Sequence, residues 1–147
     1  ARWMEREEMK GVTAIAIPDK VDNLELEVRV AREKLHGRVV VVTLRGWFSY
    51  ASARELNRWV GQASMGNEAI IYDFTEAAHM DTSAALAMEE LLTIAANDGI
   101  PCFIAGLSES TKTTLKSLGV LDGIPSGHLT ATLLDSIQVA KSHLAVR

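Results

Sequence analysis

At 147 residues the chain suits one domain with a proper core, and its 48% hydrophobic and 23% charged residues are ordinary for a globular protein. A net charge of −4, with no run of Lys or Arg, gives no electrostatic footprint for nucleic acid or anionic lipid. No apolar stretch reaches the roughly 18–20 residues needed to span a bilayer, and no signal peptide is visible.

The chain opens with a charged segment, residues 1–10, in which only Trp3, Met4 and Met9 are bulky and apolar. A brief apolar patch at 12–17 stops at Pro18, and 19–23 reads as a polar turn. Residues 1–23 are therefore read as a lead-in, and 24–147 as the domain. From Leu24 the pattern alternates, with Leu26, Val28 and Val30 against Glu25, Glu27 and Arg29, which predicts a half-buried strand. His36-Gly37 supplies a turn, and the β-branched run 39–44 predicts the strongest strand of the chain.

After Gly46, Trp47-Phe48-Ser49-Tyr50 reads as an aromatic loop. Ser52 and Glu55 have the spacing of a capping box for a helix with Leu56, Trp59 and Val60 on its inner face. A turn at Asn67 precedes the apolar strand 69–74. A turn containing His79, Asp81, Thr82 and Ser83 then leads into a helix with Ala84, Met88, Leu91, Leu92 and Ala95 in one stripe. That helix stops at Asn97-Asp98-Gly99. A further strand is expected at 100–105, a helix at 110–118 closed by Gly119, and a last helix at 130–144 with Leu134, Ile137 and Leu144 inward. An initial hairpin followed by strand–helix–strand crossovers gives an α/β fold, one mixed sheet with packed helices.

Enzyme motifs are missing. His36, His79, His128 and His143 show no metal-ligand spacing, and there is neither a nucleophile elbow nor a phosphate-binding glycine loop. Cys102, the single cysteine, lies in the apolar run 100–104, so it is read as a buried, inert thiol. One cysteine excludes an intrachain disulfide and fits a reducing compartment. No metal site and no catalytic residue are expected.

Asp81, Thr82 and Ser83 remain. Any of them can serve simply as a helix N-cap. Together they place an acid and two hydroxyls at a helix start, where free N–H groups and a positive dipole end can hold an anion or a phosphoryl group. Trp47, Phe48 and Tyr50, with His79, read either as packing over the sheet edge or as a partner-facing patch. Trp3 and Met4 read as solvent-side residues of the lead-in or as the margin of a membrane-proximal segment.

Residues 39–144 resemble a STAS domain, the fold of bacterial anti-sigma factor antagonists and of the cytoplasmic tails of SulP-type anion permeases. The resemblance centres on Asp73-Phe74 and Met80-Asp81-Thr82-Ser83-Ala84, which are similar to the family's strand ending in Asp-Leu and its loop Met-Asp-Ser-Ser/Thr-Gly. Gly99-Ile100-Pro101 and Leu118-Gly119-Val120 resemble the family's strand entry and helix exit. Residues 44–53 lean toward the permease branch, whose Gly-Pro-aromatic loop they resemble with Trp47 in place of proline. The charged lead-in and a chain that begins at Ala1 fit excision from behind a membrane domain.

The resemblance implies a non-catalytic regulatory and interaction domain of a SulP-type sulfate or anion permease, tethered at the cytoplasmic face of the membrane. Its expected partners are the transmembrane domain of the same transporter and another cytoplasmic protein. The alternative is a free-standing anti-sigma factor antagonist. In such antagonists the phosphorylated hydroxyl directly follows the loop aspartate, a position held here by Thr82. Ala84 stands where the family has glycine, which is expected to stiffen the loop. Some family members bind nucleotides, but no residue set for that is present, and no cofactor is expected.

Overall fold

The computed structural model describes residues 12–16, 25–31, 39–48, 50–51, 53–54, 56–57 and 69–145, with the backbone alone at 12–16, 25–31, 40, 45–48 and 79. One six-stranded sheet organises them, in the order β1 (Val12–Ala16), β2 (Glu25–Ala31), β3 (Val39–Phe48), β4 (Ala69–Met80), β5 (Cys102–Ala105) and β6 (Leu129–Thr130). β1–β2 and β2–β3 pair antiparallel, whereas β3 to β6 run parallel. The mixed α/β sheet is the one the sequence order implies. Three helices follow among the described elements: α1 (Thr82–Asn97), α2 (Glu109–Ser117) and α3 (Leu133–Ala145). Residues 50, 51, 53, 54, 56 and 57 are also helical.

Side chains alternate across a strand, so each parallel strand feeds two cores. On one face Val42, Leu44, Ile70, Tyr72, Cys102 and Ile104 pack with Ala53 and Leu56, with Ala84, Met88, Leu91, Leu92 and Ala95 of α1, and with Leu115 of α2. On the other, Val39, Val41, Ile71 and Phe103 pack with Ile137 and Ala140 of α3. The apolar stripe read from the sequence of α1 is the face it buries.

Several boundaries differ from the reading. Val12–Ala16, inside the segment read as a lead-in, is hydrogen-bonded to β2 as a strand of this sheet. β4 does not stop at Phe74 but continues through the polar Thr75 and Glu76 to Met80. Only β3 accompanies it there, because β5 pairs no further than Asp73. Trp47 and Phe48 belong to that extension of β3 rather than to a loop, and His79 lies in a strand, not a turn. Helical residues begin at Tyr50, ahead of the expected cap. Ser52, Glu55, Trp59 and Val60 lie outside the described residues, as do Trp3, Met4, Leu24, His36, Ser49 and Asn67. β5 starts at Cys102, two residues later than expected. At the C-terminal end Thr130 is in β6, and α3 begins only at Leu133. Ile137 is buried there, while Leu134 and Leu144 are half-buried.

The thiol of Cys102 is buried, as read, and burial pushes its pKa up to about 12.

Candidate functional site at the start of helix α1

The β3–β4 ribbon projects past the sheet and carries the chain to α1. Two register shifts, between Thr43 and Arg45 and between Gly46 and Trp47, bend its pairing. Beyond them Trp47 stands opposite His79, and Phe48 opposite Met80. Asp73 marks the ribbon's root: its buried carboxylate accepts from the Thr75 N–H at 3.1 Å and the Thr75 hydroxyl at 2.6 Å. Gly106 approaches this turn at a φ of 75°, and a Cβ there would lie 2.8 Å from Thr75 Cα.

Met80 is buried in the core beside α1, which fixes where the helix starts. Asp81 is the N-cap. Its backbone is extended, and its Oδ1 accepts from the Ala84 N–H at 2.7 Å. Thr82 and Ser83 are not loop residues but the first two residues of α1, and both are exposed. Ala84 is the third helical residue and fully buried. Left-handed backbone is therefore not needed at that position, and alanine costs the helix nothing in φ.

Of the bland and sharp readings, the structure assigns the bland one to Asp81 and leaves both hydroxyls facing solvent. Tyr50 joins them. It is 49% exposed and lines a cavity of about 370 Å³ with Ser83, Leu86, Ala87 and Glu90. Leu86, 45% exposed on α1, was absent from the sequence-based set. A leucine one turn after the hydroxyls and off the buried stripe was the available signal. The structure thus brings together Tyr50, Ser83 and Leu86, with Thr82 next to them at the first position of α1. Trp47, Phe48 and His79 enter through the backbone pairing of the ribbon. The resulting surface combines two hydroxyls, the exposed Tyr50 and Leu86, the Glu90 carboxylate and a helix N-terminus.

Comparison with known proteins decides the family. A profile for the STAS domain matches residues 31–136. The chain belongs to the STAS domain family. It is 28% identical over 115 residues to the bicarbonate transporter BicA of Synechocystis sp. (strain ATCC 27184 / PCC 6803 / Kazusa), a match covering 77% of this chain and 20% of the transporter. The chain thus spans about a fifth of that curated relative. The fold is similar to the SulP transporter STAS domain from Vibrio cholerae, with a TM-score of 0.64 and 18% identity over 74% of this chain and 84% of that one. It is also similar to the anti-sigma factor antagonist SpoIIAA in its unphosphorylated form, with a TM-score of 0.55 and 11% identity over 79% and 97% of the two chains. At these identities the two structures speak for the STAS fold alone. No helix among the described residues is long and apolar enough to cross a membrane.

Proposed function

We propose that this STAS domain is a non-catalytic regulatory module of a SulP-type anion transporter, held at the cytoplasmic face of the membrane by the transporter's membrane domain. The observation that carries this reading is the 28% identity to a bicarbonate transporter across 77% of the chain. In this reading residues 1–23 lead in from the membrane domain and 24–147 form the regulatory unit, with β1 pairing back onto it. The exposed end of α1, with Thr82, Ser83, Leu86 and Tyr50, is the surface that meets the membrane domain or another cytoplasmic protein.

Charge added at Thr82 would act on that surface, not on the fold. A phosphoryl group there gains roughly 1 kcal/mol from the helix N-terminus. The neighbouring Asp81 carboxylate opposes it by roughly the same amount at the effective screening of a wet surface. With the two nearly balanced, the lasting change is the extra negative charge offered to a partner.

The coding sequence upstream of Ala1 tests the tether. A series of apolar segments, each about 20 residues long, is expected; a start codon immediately before Ala1 would overturn it. In the full-length transporter, Thr82→Glu should alter transport while the domain's melting temperature holds. Unchanged transport would remove the switch.

The alternative is a free-standing antagonist of an anti-sigma factor, in which Thr82, the hydroxyl directly after the loop aspartate, would accept the phosphate. Incubation with a partner kinase and ATP distinguishes it: stoichiometric phosphate on Thr82 or Ser83, read by mass spectrometry, would support partner switching.

A further inference from the structure

A second feature, apart from the α1 start, lies toward the other end of the same helix. A cavity of about 620 Å³ opens between the C-terminal half of α1, the residues entering β5, and the segment after α2. A helix of 16 residues is roughly 24 Å long, so this cavity and Thr82 occupy separate ends of α1. Its volume falls in the range of small-molecule sites. Leu92, Ile100, Pro101, Val120, Ile124 and Pro125 give it an apolar wall.

Its polar wall is made by two acids together with Thr93, His128 and His143. Glu89 and Asp122 contribute carboxylates, and among the described residues neither Lys nor Arg lines the cavity. Two helices end on it as well. Ala96 and Gly99 bring the C-terminus of α1, and Gly119 that of α2, so two negative dipole ends converge there. The last turn of α1 holds no basic residue to offset its dipole, although α2 carries Lys116 in its own last turn. Gly99 and Gly119, at φ of 75° and 77°, are the left-handed residues that close the two helices.

His128 adds an acceptor of fixed orientation. Its Nδ1 lies 2.9 Å from the Cys102 carbonyl oxygen, which can only accept, so Nδ1 carries the hydrogen. In that tautomer Nε2 is the ring's acceptor. Phe103 stacks on the imidazole at 4.0 Å, and the His143 ring meets it edge-on at 5.4 Å, holding it in place. Both histidines line the cavity. Among the described residues no group of three or more His, Cys, Asp and Glu side chains is arranged to hold a metal ion.

We propose that this cavity binds a small organic cation: an ammonium group on an apolar body, its N–H groups directed to His128 Nε2 and the Glu89 and Asp122 carboxylates. The same wall disfavours phosphates and other anions, which places nucleotides outside it. The proposal stands independently of the transporter reading, because it rests on this cavity alone.

Benzylamine and benzoate, which share a ring and differ in charge, are the probes. Titrated into the full chain and followed by backbone amide NMR, benzylamine should give saturable shifts centred on Gly99, Gly119 and Gly123, and benzoate should not. Glu89→Gln with Asp122→Asn should weaken benzylamine about threefold, as expected for partly exposed charge pairs, and leave the melting temperature unchanged. Equal binding of both probes would overturn the assignment of charge. Failure of benzylamine to saturate, or shifts centred on Thr82 and Leu86 instead, would overturn the site.

Discussion

Gly106 shows how much one missing side chain decides. Its φ of 75° is one that L-residues adopt only with strain, and the Thr75 backbone leaves no room for a Cβ. Its N–H also donates to the Thr130 carbonyl at 3.0 Å, tying the end of β5 to β6. Gly106→Ala should therefore destabilise the domain by about 1–3 kcal/mol, measured by urea unfolding; a loss under about 0.5 kcal/mol would mean that the turn relaxes freely. Cys102 and Tyr72 set a second residue-level property. Both are buried, and burial raises the pKa of each above its ordinary value of 9.0 and 10.0 respectively, with Cys102 adding to the effect on Tyr72. A raised acid keeps its full stabilising contribution below the unfolded value and loses it as pH rises toward the folded one. Stability should consequently be flat near neutrality and fall from about pH 9 upward, through the range in which the unfolded thiol and then the unfolded phenol ionise. Urea midpoints taken from pH 7 to 11 check this, and Cys102→Ala should blunt the first part of the fall. A midpoint indifferent to pH through that range would show that neither group stays protonated in the fold.

Helix α1 carries one face for the core and another for solvent, and the two answer differently to truncation. Met88 is fully buried, so Met88→Ala should cost about 2–5 kcal/mol. Leu86→Ala, two positions away and 45% exposed, should stay within about 0.5 kcal/mol of the parent. Paired thermal melts test both, and a large loss from Leu86→Ala would mean that this leucine supports the fold and is not held out for a partner. That division was legible in the chain, since Ala84, Met88, Leu91, Leu92 and Ala95 recur at helical spacing. The strands were legible for the same reason where their residues alternate or run β-branched, as in β2 and the first half of β3. The β3–β4 ribbon was not. Thr75, Glu76 and Ala77 have no apolar pattern, and the strand continues through them because the second half of β3 pairs with Glu76 and Ala77 beyond the register shift. The same pairing drew Trp47 and Phe48 out of the loop to which their neighbours seemed to assign them. β6, two residues long, is below the length at which periodicity carries information. Asp81 was legible as a cap candidate, but which of the three polar residues takes that role follows from where Met80 anchors the chain. The cavity near His128 draws on three segments far apart in sequence, so no local pattern announces it.

At the scale of the whole molecule, the sheet separates two cores that share its strands and little else. Ile70 and Ile71 are adjacent in β4 yet face opposite clusters, Ile70 toward α1 and α2, Ile71 toward α3. Chain neighbours in contact through their backbone would ordinarily be suspected of coupling. Packed interiors, however, transmit a volume change through side-chain contacts within one close-packed cluster. The pleat points these two side chains away from each other. Ile70→Val and Ile71→Val should each cost about 0.5–1.5 kcal/mol, small enough for the double variant to remain folded. Their combined cost should equal the sum to within about 0.5 kcal/mol. Ile71→Val with Ile137→Val, both in the α3 cluster, is the contrasting pair, and its sum should fail by more than that. A double-mutant cycle read by urea unfolding decides between the two cases. If the adjacent isoleucines couple as strongly as the pair within one cluster, the sheet is a conduit between its faces rather than a partition. A change on the α1 face, whether at Thr82 or at the cavity by His128, would then reach α3 through the strands, and regulation would no longer be confined to the surface of α1.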